Sequence, residues 1–231
     1  MAAPLEKTPL PDGHFDLIVG NVPCGNIAVH DPSVEAKRLR ASLHGYFVVR
    51  AIRAVRPGGI VAVVSSRYLL DGDDETVRRH LARHADLLAA WRLPGSVFMH
   101  EGVPVATDVL FLRKRHSPPV ELPRWVGRHR IKLEYELERQ LTDYRNYGRI
   151  ERVSALAHFD INALFVDDPS VVIGQHGLMS GRKGVSYTVV PPVPIGPEHD
   201  AGLERLLAER ASSLPVDGLE PPPEQASPVP E

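Results

Sequence analysis

Short apolar runs, broken by glycine, proline and charged stretches, fill the first half of the chain. Phe15-Asp16-Leu17-Ile18-Val19-Gly20-Asn21-Val22 is a mostly apolar run that ends at Pro23, the pattern of a buried strand. Leu39, Leu43, Phe47, Val48, Ala51, Ile52 and Val55 then recur at helical spacing. Ser42 is the expected N-cap for the stronger part of that helix. Arg53 and Arg56 lie at its end, where the helix dipole favours positive charge, and Pro57-Gly58-Gly59 stops it. Ile60 to Val64 predicts a second buried strand, and Asp73-Asp74-Glu75 opens a second helix. Leu87 to Leu93 and Thr107 to Leu112 predict a third and a fourth strand. The connection from Pro94 to Pro104 has no helical pattern, so these last two strands are expected to be antiparallel neighbours. Strands alternating with helices predict an α/β sheet with helices on its faces.

The second half is less regular. Residues 131–146 are charged and helix-compatible. Phe159 to Val190 mixes short apolar runs with Gly174, Gly177, Gly181 and Gly184, which predicts a small irregular or β-rich unit. Residues 198–212 fit a short amphipathic helix on Leu203, Leu206 and Leu207. From Glu220 the composition is that of a disordered, proline-rich tail. The chain divides into an N-terminal loop (1–13), an α/β domain (14–116), which the family resemblance described below makes a partial catalytic domain, a basic linker with a charged helix (117–148), a small C-terminal unit (149–196), and a short helix with the tail (197–231).

Composition narrows the class. In 231 residues, 43% are hydrophobic and 24% charged, the balance of a soluble globular protein. The net charge of −2 excludes a chain that binds nucleic acid by bulk charge alone. Charge is uneven, however: Arg113 to Lys132 holds seven Lys/Arg residues and a single acid, Glu121. One cysteine, Cys24, excludes an internal disulfide and points to a reducing compartment. No secretory signal or membrane-length apolar run is present, and the expected location is cytoplasmic.

The chemistry sits in Asp16-Leu17-Ile18-Val19-Gly20-Asn21-Val22-Pro23-Cys24-Gly25, where a strand delivers Asn-x-Pro at its C-terminal end. In open α/β sheets ligands bind at that end. An exocyclic amine on an aromatic ring is a poor nucleophile, because its lone pair is delocalised into the ring. An asparagine carbonyl and a backbone carbonyl can each accept one of its N–H bonds and orient the nitrogen. Proline fixes the backbone so that the carbonyls point outward.

The tetrapeptide is similar to the Asn-Pro-Pro-aromatic signature of amino-methyltransferases. Further segments follow in order: His30-Asp31-Pro32, Ser42-Leu43-His44 with Tyr46-Phe47, Val55-Arg56-Pro57-Gly58-Gly59-Ile60-Val61, and Ser65-Ser66-Arg67. Arg92-Leu93-Pro94 ahead of Phe98, Thr107 to Leu112, Phe165 to Gly174, and Gly181-Arg182-Lys183-Gly184 complete the set. Over roughly residues 14 to 190 the chain resembles the downstream half of large, helicase-associated adenine-specific DNA methyltransferases. The resemblance implies an incomplete S-adenosylmethionine-dependent, Rossmann-like sheet with a small C-terminal extension, within a restriction–modification setting. It implies methyl transfer to the exocyclic amine of adenine in DNA, with the target base swung out of the duplex. Asn21 and the Val22 carbonyl would accept the amine hydrogens, Pro23 would fix the loop, and Cys24 and Gly25 would line the base site. Cys24 replaces the aromatic residue that stacks on the base, a contact worth about 1–3 kcal/mol. The glycine-rich donor site that the family places ahead of this strand has no counterpart before Phe15. The strand holding Asn21 would then be a bare edge, and the chain would be inactive alone unless a partner supplied the missing half.

Other readings of the same residues remain open. Asn21 and Pro23 are common strand-end turn residues. Pro23-Cys24 matches the nucleophile of cytosine-carbon methylases, without their second motif. His80 and His84 have metal-ligand spacing without a third ligand, and a solvated helix end accounts for them better. The basic stretch 113–132 could track a DNA backbone or be a solvated loop. Two alternative functions stand beside the enzyme reading: a non-catalytic module that binds DNA or a partner, and a methyltransferase acting on a protein glutamine amide.

Overall fold

The computed structural model describes residues 8, 10–23, 42–98, 105–140, 150–181, 184–191 and 197–214. Strand β1 (Phe15–Asn21) is followed by helix α1 (Leu43–Ala54), whose N-cap Ser42 accepts a hydrogen bond from the Gly45 amide at 3.4 Å. The helix stops at Ala54 because Val55 turns extended and pairs with Phe15, beginning β2 (Val55–Ser66). Lys114 closes that end, donating to the Arg53 carbonyl at 2.9 Å and the Val55 carbonyl at 2.7 Å. Pro57-Gly58-Gly59 lies within β2 as an irregularity, where Phe15 pairs with Val55 but Leu17 with Ile60. A side chain at Gly59 would lie within about 3 Å of the Arg56, Asp16 and Phe15 carbonyls, so the bend needs glycine.

A short helix α2 (Tyr68–Asp71) and helix α3 (Thr76–His84) come next. The Asp74 carboxylate accepts from the Thr76 amide at 2.8 Å, the use expected of acids at a helix start. Strands β3 (Ala85–Leu93) and β4 (Thr107–Lys114) complete a four-stranded sheet of order β1-β2-β4-β3. β1 and β2 are parallel, and β4 runs antiparallel to both β2 and β3. The architecture is the α/β one expected, a partial Rossmann-like sheet with a C-terminal extension. Val61, Val63, Leu110 and Leu112 on one sheet face join Val48, Ile52 and Leu81 of the two long helices in the main core.

The segment 131–146 departs from expectation. Residues Arg128–Gln140 form strand β5, which pairs antiparallel with β6 (Ile150–Asn162). Ile131, Leu133 and Tyr135 are half-buried while Lys132, Glu134 and Glu136 are exposed, so the true period is two. Burial of the odd-numbered face outweighs the helical preference of Glu, Lys and Leu. Residues 141–149 lie outside the described residues. Helix α4 (Ala163–Asp167), capped by Asn162, leads to the β-rich unit expected, a hairpin of β7 (Gln175–Gly181) and β8 (Gly184–Val190). Helix α5 (Pro197–Ser212) sets Leu203, Leu206 and Leu207 against Trp91, Leu93 and Ile173, on the face of the sheet opposite α1.

A buried ionic cluster ties the extension to the sheet. Arg92, fully buried in β3, donates to Asp108 of β4 at 2.7 and 2.8 Å and to Asp71 at 2.9 Å twice. Asp71 also accepts from Arg67 and from the Asn162 backbone amide, each at 2.9 Å. The Arg92 guanidinium lies 3.9 Å from the centre of the Phe165 ring. Burial alone would lower the Arg92 pKa, but Asp108 and Asp71 outweigh it and hold the group well above its ordinary value. The backbone joins in: the Ile173 amide donates to the Arg92 carbonyl at 2.8 Å, and Arg92 bridges to Val172. Beyond the strand, a Cβ at Gly95 would collide with the Thr188 hydroxyl, so the second hairpin sits directly on the end of β3.

Two expectations follow. Arg92→Met leaves two buried carboxylates short of donors and should cost about 3–5 kcal/mol in a urea titration. Arg130→Ala, which breaks an exposed pair with Asp160, should leave the urea midpoint unchanged. At the other edge, β1 pairs only with β2 among the described strands, and Leu17 and Val19 are 56% and 71% exposed. Wild-type chain should therefore sediment with a concentration-dependent increase in size, and Val19→Lys should abolish it.

Candidate functional site

The C-terminal ends of β1, β2 and β3 and the start of β4 lie at one end of the sheet, because β4 alone runs the opposite way. Register orders this end. Asn21 pairs with Val64, Val64 with Val109, and Val109 with Trp91, so these four residues form one rung and share a face. Asn21 at the outer edge is exposed and makes no side-chain hydrogen bond to another described residue. Trp91 at the inner end is 5% exposed.

The next rung carries Ser65, Asp108 and Arg92 on the opposite face. Val22 anchors the motif to this level: its amide donates to the Val64 carbonyl at 2.9 Å and its side chain is in the core. Pro23 follows, exposed. The sequence Asn-Val-Pro thus places one polar side chain in solvent, one apolar side chain in the core and one rigid residue where the strand leaves the sheet. An exposed amide held on an anchored strand can accept a hydrogen bond from an incoming planar amine. Cys24, Gly25 and His30-Asp31-Pro32 lie outside the described residues.

Several of the matching segments lie around this end. Ser66 Oγ accepts from the Tyr68 amide at 3.2 Å, starting the α2 turn directly after β2. The Arg67 guanidinium lies 4.3 Å from the Tyr68 ring centre, and Tyr68 is 49% exposed. His44, in the first turn of α1, is 2.8 Å from the Ser42 hydroxyl, and burial lowers its pKa against an opposing effect of the Tyr68 backbone. Nε2 faces the Ser42 hydroxyl, and Nδ1 is buried without a hydrogen-bond partner among the described residues.

The ionic cluster of Arg92, Asp108 and Asp71 was not anticipated as a unit. It lies one rung from Asn21 but on the other face, and β3 is three strand spacings, about 14 Å, from β1. It supports this end of the sheet and does not reach a ligand at Asn21. The only hint in the sequence is a charge inside each of two apolar strands, Arg92 in Leu87 to Leu93 and Asp108 in Thr107 to Leu112.

The other candidates are placed as follows. His80 and His84 stack with ring centres 4.2 Å apart, and His84 Nδ1 lies 2.8 Å from the His80 carbonyl. Among the described residues no group of three potential ligands could hold a metal ion. The basic stretch is largely committed to internal partners. Arg115 pairs with Asp86 at 2.6 Å, Arg128 with Asp73 at 2.8 Å, Arg130 with Asp160 at 2.9 Å and Arg124 with Asp167 at 3.3 Å. Among the described residues no helix is long and apolar enough to cross a membrane.

No family model matches the chain. Defense against restriction protein B of Escherichia phage P1 is 30% identical over 116 residues, which cover 48% of this chain and 5% of that protein. Among solved structures, the M protein of the type I restriction enzyme EcoKI is 28% identical with a TM-score of 0.35, over 44% of this chain and 21% of the other. A protein assigned as a class I S-adenosylmethionine-dependent methyltransferase of Listeria monocytogenes is 17% identical with a TM-score of 0.38, over 51% of this chain and 38% of the other. The chain is thus similar to a small part of a much longer phage protein, and the structural overlaps are partial.

Proposed function

We propose that this chain carries the target-amine end of an adenine-directed DNA methyltransferase module. The observation that carries the reading is Asn21-Val22-Pro23 at the C-terminal end of β1, with the Asn21 side chain exposed and without a hydrogen-bond partner among the described residues, and Val22 locked to β2. Oδ1 of Asn21 accepts one N–H of the exocyclic amine, and the Val22 carbonyl accepts the other. With both hydrogens engaged, the nitrogen lone pair is aimed away from the protein toward the methyl carbon. A target base reaches these groups only outside the duplex stack. Similarity to a phage protein named for defence against restriction supports a setting in which DNA modification matters.

S-adenosylmethionine is the methyl donor this reading implies. The described residues do not make a site for it: residues 10–14 ahead of β1 form a turn, and the outer edge of β1 is unpaired among the described strands. We therefore assign donor binding to a further segment or partner chain that completes the sheet beside β1. The same bare edge favours the second reading, a non-catalytic module that docks on a partner through β1.

Calorimetric titration of the folded chain with S-adenosylhomocysteine should give no heat of binding. Combined with the remainder of the phage P1 relative, the chain should yield N6-methyladenine in duplex DNA by mass spectrometry. Asn21→Ala should lower that yield about 100-fold, the typical cost of removing one group that stabilises a transition state. Full activity of the Asn21→Ala assembly would sink the enzyme reading. Methylation of added protein glutamine and not of DNA would move the substrate to an amide.

A further inference from the structure

The end of the sheet opposite Asn21 holds a cavity of about 320 Å³, lined by Gly58, Asp86, Arg113, Lys114, Arg115, His116 and Ser117. Three guanidinium or ammonium groups meet one carboxylate there. Asp86 bonds Arg115 at 2.6 Å, which leaves Arg113 at 3.9 Å, beyond hydrogen-bond reach. Nε of Arg115 is buried and has no acceptor among the described residues. A buried donor without a partner costs stability, so the cavity is short of acceptors. Arg56, paired with Asp16, lies close by: a Cβ built at Gly58 would be 3.5 Å from Arg56 Nη1 and 3.9 Å from His116 Nε2. Lys114 is spent on the α1 carbonyls and adds charge without a free donor direction toward Asp86.

We propose that this cavity binds a phosphate group. Phosphate supplies the acceptor oxygens that the site lacks, and guanidinium groups match its geometry. Arg113, beyond hydrogen-bond reach of Asp86, donates to its oxygens, with His116 and Ser117 as further donors at the rim and the Arg115 guanidinium adding positive charge. The volume is at the lower limit of small-molecule sites and holds one phosphate with its sugar. One phosphate carried by a nucleotide and one within a nucleic-acid backbone share this chemistry. The site lies at the opposite end of the strands from Asn21 and does not depend on the methyltransferase reading.

The test titrates the folded full chain with inorganic phosphate, then competes with adenosine monophosphate and with a short DNA duplex. Inorganic phosphate should bind one-to-one. Arg113→Gln should weaken it about tenfold, the loss of one charge-assisted hydrogen bond. Asp86→Asn removes the competing carboxylate and should tighten binding, a gain that misfolding cannot imitate. Displacement by the monophosphate alone assigns the site to a free phosphomonoester, and displacement by the duplex assigns it to a nucleic-acid backbone. Absence of saturable phosphate binding, or binding indifferent to both substitutions, overturns the proposal.

Discussion

Arg92 is fully buried, and the rest of the molecule is arranged around the charge it carries. A lone guanidinium in an apolar core would be prohibitive, so two carboxylates must reach it. Asp108 comes from the neighbouring strand, and Asp71 from the short helix that follows β2. Asp71 in turn needs the Arg67 side chain and the Asn162 amide. One charge therefore fixes the junction of β2 with its following helix, the β3–β4 pairing, and the entry into the C-terminal unit. Apolar packing around Phe165, Val172 and Tyr187 holds the same elements together, but packing alone tolerates more than one arrangement. The hydrogen-bonded charges select among them.

That selection also steadies the site. Asn21 contributes nothing to the cluster, yet its strand is parallel to β2, and β2 ends in the residues that start the Arg67–Asp71 turn. Among the described strands, β1 has a paired neighbour, β2, on one side only. The orientation of Asn21 is therefore set from the β2 side.

The sheet was legible because each of its strands is a short apolar run with a turn signal at its end, and Ser42 announced the start of α1. The position of Asn21-Val22-Pro23 at a strand end was legible for the same reason. The segment around Ile131-Lys132-Leu133-Glu134-Tyr135-Glu136 was not, because its polar half is made of good helix formers. Its alternation carries the strand signal, and alternation outranks propensity when one face is buried. The ionic cluster was illegible for a different reason. Residues 71, 92, 108 and 162 are far apart in the chain, and no local pattern says that they meet. What local sequence does show is a charge where a strand should be wholly apolar, and that anomaly marks a partner to be found.

The cluster also sets an order of assembly. Asp71, Arg92 and Asp108 leave the ribosome well before Asn162 and Phe165. Until the later segment arrives, Asp71 lacks the Asn162 amide and Arg92 lacks its aromatic cover, and water can reach both. A nascent chain halted before residue 162 would hold this salt bridge open to water, and Val172, Ile173 and Tyr187, which also reach Arg92, would arrive later still.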